Sequence, residues 1–178
     1  MLNWVKFGFP LLWALPSSPP PPFFKDNNPD AYAASDFVNT QIRDLLRADA
    51  IAVSPGQPIC VHPLNVVSRA NGKQRLILDL RHVNQFLHIP KFRLDSLQLL
   101  SDIADLDDLM FSLDLASGYH QVLMAPSAFP YLGFCWDGVF YVYKVLPFGL
   151  ATAPWCFSKI MRVICTYLRW CNNQQACG

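Results

Sequence analysis

Two tight turns constrain the fold of this chain more than any other feature. Asn71-Gly72 and Asp137-Gly138 each stand between apolar runs. An Asx-Gly pair in that setting is the strongest short-range sign of a two-residue β-hairpin, because both central positions need positive φ. The first turn predicts two strands within residues 60–80, and the second joins residues 131–136 to 139–145. Segments of helical period surround them. Ser35-Asp36 caps a helix to about Arg47 with Phe37, Val38, Ile42, Leu45 and Leu46 on one face. Residues 94–104 repeat Leu97, Leu100 and Ile103, and residues 151–169 align Phe157, Ile160, Ile164 and Leu168. The order helix, hairpin, helix, strand, hairpin, helix predicts an α+β fold.

The strand in that series is residues 111–122, FSLDLASGYHQV. It is apolar, ends on the carboxylate of Asp114 and breaks at Ser117-Gly118. A carboxylate at the end of a buried strand can hold Mg²⁺, which takes oxygen ligands and commonly uses one or two carboxylates together with substrate phosphates. Taken alone, such an aspartate is more often a strand-end or turn residue.

The net charge of +1 conceals an uneven distribution. Residues 66–93 carry Arg69, Lys73, Arg75, Arg81, Lys91 and Arg93 against Asp79 alone, whereas residues 94–115 carry Asp95, Asp102, Asp105, Asp107, Asp108 and Asp114 without a base. A basic lobe beside an acidic one suits an enzyme that holds polyphosphate with one surface and metal ions with the other; two solvated faces are the plainer reading.

Residues 1–34 hold Pro16, Pro19, Pro20, Pro21, Pro22 and Pro29 and are expected to form an extended arm without regular helix or internal strand, pinned by Phe23 and Phe24. The apolar start is broken by Pro10 and followed by no A-x-A cleavage site, and no run reaches the ~18 residues of a membrane span. The expectation is an intracellular chain, cytoplasmic or nuclear, with no membrane partner. Six cysteines show neither Cys-x-x-Cys nor zinc spacing and read as reduced thiols.

The residues just quoted carry a resemblance. FSLDLASGYHQV resembles the first palm motif of reverse transcriptases, and VLPFGLATAPWCF, residues 145–157, resembles their LPFGL…AP..F motif. NGKQRLILDLRHVN, residues 71–84, matches a G-x-x-R…D-x-R-x-x-N pattern, and YLGFCWDG lies between in the right order. The chain is most similar to the enzymes of DIRS-like and gypsy-like retrotransposons. The resemblance implies the fingers and an incomplete palm sheet of a right-hand polymerase. It divides the chain into a Pro-rich arm (1–34), a first fingers segment (35–89), a palm segment with the first motif (90–121), the fingers hairpin with the start of the second motif (122–150), and a palm helix with a non-homologous tail (151–178).

By the same resemblance Asp114 is the catalytic metal ligand, the carbonyl of Leu115 helps hold Mg²⁺, and Tyr119 lies under the incoming sugar to exclude a 2′-hydroxyl. Arg75, with Arg69 or Lys73, binds the triphosphate, for which a guanidinium offers a planar fork of donors. Phe148 and Gly149 line the nucleotide pocket, and Lys73, Arg75 and Arg81 contact nucleic acid. The implied partners are an RNA template, a DNA primer and deoxynucleoside triphosphates.

Asp107-Asp108 precedes the first motif and reads as a solvated turn, not as the second carboxylate pair. Ser117 and His120 lack the third group of a hydrolase triad. A clamp on two metals ~4 Å apart needs more than one carboxylate, and these 178 residues contain no Tyr-x-Asp-Asp. The expectation is therefore a reverse transcriptase fragment, truncated before that motif and inactive as it stands. The alternative is a non-catalytic nucleic-acid-binding or vestigial retroelement-derived protein.

Overall fold

A computed structural model describes residues 3–15, 19–68, 72–93, 115 and 117–175, with the backbone alone for residues 168–175. The expected helix over residues 94–104 and the strand ending at Asp114 lie outside the described residues.

Each Asx-Gly pair falls between two strands that pair antiparallel; the first connection runs over residues 69–73, longer than a two-residue turn, and its Asn71 lies outside the described residues. Strand β4 (Leu64–Ser68) pairs antiparallel with β5 (Gln74–Leu78), with Leu64 opposite Leu78 and Val67 opposite Arg75. Strand β6 (Gly133–Trp136) pairs with β7 (Val139–Tyr143) across Asp137 and Gly138, whose φ values of 49° and 74° are the doubly positive pair that such a turn requires. The first hairpin is shorter than expected. Cys60–Val61 forms a separate strand, β3, in a five-stranded sheet of order β1-β3-β6-β7-β2, with β1 at Phe23–Phe24 and β2 at Ile51–Val53.

Helix α3 (Ser35–Arg47) buries Val38 and Ile42 and half-buries Phe37 and Leu45, as its period predicts, but Leu46, expected on the same face, is exposed. Helix α4 (Arg81–Asn84) follows β5 directly and is seated by Leu80 and Val83, both buried. The C-terminal helix, α5 (Ala153–Gln175), starts two residues later than its apolar period suggests and carries helical backbone through Asn172 to Gln175. Among the described residues no helix is long and apolar enough to cross a membrane.

The N-terminal segment corrects the expectation of an arm without helix. It contains α1 (Trp4–Phe7) and α2 (Pro29–Ala33). Proline is tolerated in the first helical turn, where its missing N–H has no intrahelical acceptor, so Pro29 starts a helix instead of preventing one. Phe9 is fully buried, and its backbone bonds Leu123 O at 2.7 Å and Ala125 N at 2.9 Å. Trp4 packs against Phe9 and Trp155. This segment is core, not an appendage. Strand β1, beside the prolines, lies at the sheet edge where proline is admissible.

Candidate functional site

Two adjoining cavities lie on either side of Phe148 and Ser117, one against β5 and α3 and the other against α5. The first, of about 470 Å³, is lined by residues including Gln41, Gln74, Arg75, His120, Phe148 and Gly149. The second, of about 340 Å³, is lined by Leu115, Ser117, Gly118, Tyr119, Phe148, Phe157 and Met161. Phe148 and Ser117 belong to both.

Local sequence explains the aromatic wall between them. Ser117 takes a left-handed conformation, φ 50°, and turns the chain into a 3₁₀ helix, Gly118–Gln121. A Cβ on Gly118 would stand 2.9 Å from Cζ of Phe157, so glycine there lets that ring approach. Tyr119 then sits between two rings, 5.0 Å from Phe148 and 5.3 Å from Phe157 between centroids. Burial raises its phenol pKa, so the hydroxyl stays protonated. His120 meets Phe148 edge-on at 5.3 Å, and burial lowers its imidazole pKa.

The turn that carries Phe148 depends on glycine. Gly149 has φ 95°, a conformation that side chains rarely adopt, and an added Cβ would lie 3.2 Å from the Leu78 carbonyl oxygen of β5. Its own carbonyl accepts a hydrogen bond from Asn84 Nδ2 at 2.9 Å, while Ala151 N donates to Asn84 Oδ1 at 2.9 Å.

Of the residues singled out in the sequence, Arg75, Phe148 and Gly149 line one cavity, and Leu115, Tyr119 and Phe148 line the other. Lys73 is exposed at the hairpin end and is not among the residues lining either cavity. Arg81 is also exposed, but its guanidinium is engaged: Nε lies 2.8 and 3.0 Å from the two oxygens of Asp79, and an Nη lies 2.6 Å from one of them. The same pairing holds the Asp79 carboxyl below its usual pKa. Arg69 and Asp114 lie outside the described residues.

Among the described residues no three of His, Cys, Asp and Glu converge as a metal site. Cys60, Cys135, Cys156 and Cys165 are free thiols, and burial pushes Cys60 to about 11 and Cys156 to about 12.

Sequence reasoning missed Asn84, Gln41 and Phe157 and passed over His120. Asn84 was visible only as the last letter of D-x-R-x-x-N, with nothing to say what it touches. Gln41 stands on the polar side of an amphipathic helix, where the helical period gives no signal.

No family model matches the chain. It is 30% identical over 148 residues to the retrovirus-related Pol polyprotein from transposon gypsy of Drosophila melanogaster, a match covering 79% of this chain and 14% of that protein. It is 36% identical over 93 residues to the genome polyprotein of Petunia vein clearing virus, covering 52% of this chain and 4% of the polyprotein. The chain thus spans a small fraction of the curated relatives it matches. Among solved structures it is similar to the native prototype foamy virus protease-reverse transcriptase, with TM-score 0.63 and 26% identity over 85% of this chain and 20% of that one. The foamy viral protease-reverse transcriptase in complex with an RNA/DNA hybrid gives TM-score 0.65 at 21% identity, a likeness of fold, again over 85% of this chain and 20% of that one.

Proposed function

From a reverse-transcriptase-like fold, we propose that this chain is the nucleotide-facing portion of a reverse transcriptase domain from a gypsy-like or DIRS-like retroelement. Its parent reaction is RNA-templated DNA synthesis from deoxynucleoside triphosphates. One observation carries the reading: Arg75, Tyr119 and Phe148, which are far apart in sequence, line two cavities that share a wall. In this reading Arg75 meets phosphate oxygens, Tyr119 closes the space beside the sugar C2′, and Phe148 and Gly149 shape the base and template side. The likeness to an enzyme solved with an RNA/DNA hybrid supports a template–primer as the partner.

The fingers correspond to residues 35–89 and 122–150 and the palm to residues 90–121 and 151 onward. Mg²⁺ enters the reading through Asp114, which lies outside the described residues, and the Leu115 carbonyl. As a separate polypeptide the 178 residues hold nucleotide and nucleic acid without joining them, since two metal ions need more than one carboxylate. Magnesium-dependent extension of a primed RNA template by the purified chain tests this. No extension is expected, and extension abolished by Asp114→Ala would overturn the inactivity while upholding the family reading.

A further inference from the structure

Asn84, on α4 just after the basic hairpin, bonds the loop carrying Phe148. Its amide donates to the Gly149 carbonyl and accepts from the Ala151 N–H, both at 2.9 Å, across 65 and 67 residues of sequence. A carbonyl and an N–H two residues apart are what a strand edge presents to its neighbour. The primary amide of asparagine, with a donor and an acceptor on one rigid plane, can satisfy both at once.

We infer that Asn84 is a positioning residue of this cleft: it fixes the 147–151 loop against β5, and through that loop sets where Phe148 stands relative to Arg75 and Tyr119. The rest of the junction is built to the same end. Leu80 and Val83 are buried at 2% and 0% exposure, so α4 cannot shift without breaking the core. Gly149 lies against the Leu78 carbonyl with room for no side chain larger than hydrogen without strain. The loop is therefore held against the β5–α4 segment by its close approach to the Leu78 carbonyl and by the amide bridge at Asn84. The backbone contact sets how close the loop comes. The bridge sets its direction, because hydrogen bonds weaken steeply off axis.

The functional half of the inference rests on the cleft being a nucleotide site, and the experiment separates the two halves. Amide exchange at Ala151, and affinity for dTTP by equilibrium dialysis, are measured in the wild-type chain and in Asn84→Ala, Asn84→Asp and Arg75→Ala. Asn84→Ala is expected to speed Ala151 exchange and weaken dTTP binding, each by about tenfold or more, the loss of a hydrogen bond and its geometry. Asn84→Asp keeps the acceptor and loses the donor, so Ala151 stays protected while dTTP binding falls. That variant carries the test should the alanine form not fold. Arg75→Ala is expected to weaken dTTP binding with Ala151 exchange unchanged. Unchanged Ala151 exchange in Asn84→Ala overturns the clamp. Faster exchange with dTTP affinity intact overturns its positioning role. A wild-type chain that binds no dTTP sinks the nucleotide reading and leaves the clamp standing on exchange alone.

Discussion

His62 is fully buried, with Nε2 3.0 Å from the Tyr131 carbonyl, an arrangement that needs the neutral ring to donate from Nε2. Burial is the main cause lowering its pKa; His82 adds to the lowering, while the Tyr131 and Asp79 backbone and the Asp79 charge oppose it. The unfolded chain therefore takes up this proton first, so stability is complete above about pH 6.5 and declines as pH falls below it. His120, lowered by burial as well, acts in the same direction. Urea midpoints should fall between pH 7.5 and 5.5, and His62→Gln, which retains a donor for Tyr131, should flatten the fall; an unaltered slope would exclude His62 as its source. Tyr119 carries a prediction of another kind. Its ring is wedged between Phe148 and Phe157, so Tyr119→Ala opens space on the cavity side without breaking the sheet. Under the proposed function the ratio of UTP to dTTP affinity should rise, by up to about tenfold for one lost steric contact. A ratio that stays fixed would assign Tyr119 to packing alone.

At the scale of elements, two glycines of one hairpin separate backbone strain from crowding. Gly138 has φ 74° and open space where a Cβ would go, so Gly138→Ala should cost about 1–2 kcal/mol, the left-handed penalty by itself. A Cβ on Gly133 would meet Pro58 at 2.5 Å and the Cys60 carbonyl oxygen at 2.8 Å, where β3 joins β6. Gly133→Ala should cost more, roughly 3 kcal/mol, because backbone cannot move aside as a side chain can. Equal unfolding free energies for the two variants would refute the distinction. The contrast also explains what was legible beforehand. The turn at Asp137-Gly138 and the apolar face of α3 are local, fixed by residues within a few positions of each other, and the sequence spelled them out. The junction of β3 with β6 pairs Val61 with Gly133 in parallel, and no local period announces a parallel partner that far away. Phe9 is the sharper case. It is buried because its backbone bonds the chain at Leu123 and Ala125, whereas its own neighbourhood reads as the start of a proline-rich arm. The candidate site divides the same way: Arg75, Tyr119 and Phe148 were legible as motif letters, while the Asn84 bridge from α4 to the Phe148 loop exists only in three dimensions.

For the molecule as a whole, a net charge of +1 gives no general attraction to nucleic acid, so binding must come from where the bases stand. Lys73 and Arg75 rise from one hairpin and are both exposed. Arg81 belongs to the same basic stretch, yet its guanidinium already lies on the Asp79 carboxylate through Nε and an Nη. A phosphate approaching Arg81 must either displace that carboxylate or share the cation with it, and in both cases the counterion released per contact is less than one. Each phosphate neutralised lowers the slope of log K against log salt by about 0.9 on a duplex. Affinity for a primed RNA/DNA hybrid should therefore fall as salt rises, and Arg75→Ala should make the slope shallower by about that amount, with Lys73→Ala acting in the same direction. Arg81→Ala should change it much less. Asp79→Ala should do the opposite, freeing the guanidinium, tightening binding and steepening the slope. Fluorescence anisotropy over a salt series measures all four. If Arg81→Ala flattens the slope as much as Arg75→Ala does, the Asp79 pair yields to phosphate and the basic lobe acts as one surface. If none of the four variants alters it, the lobe is a solvated face and the template–primer must lie elsewhere on the molecule.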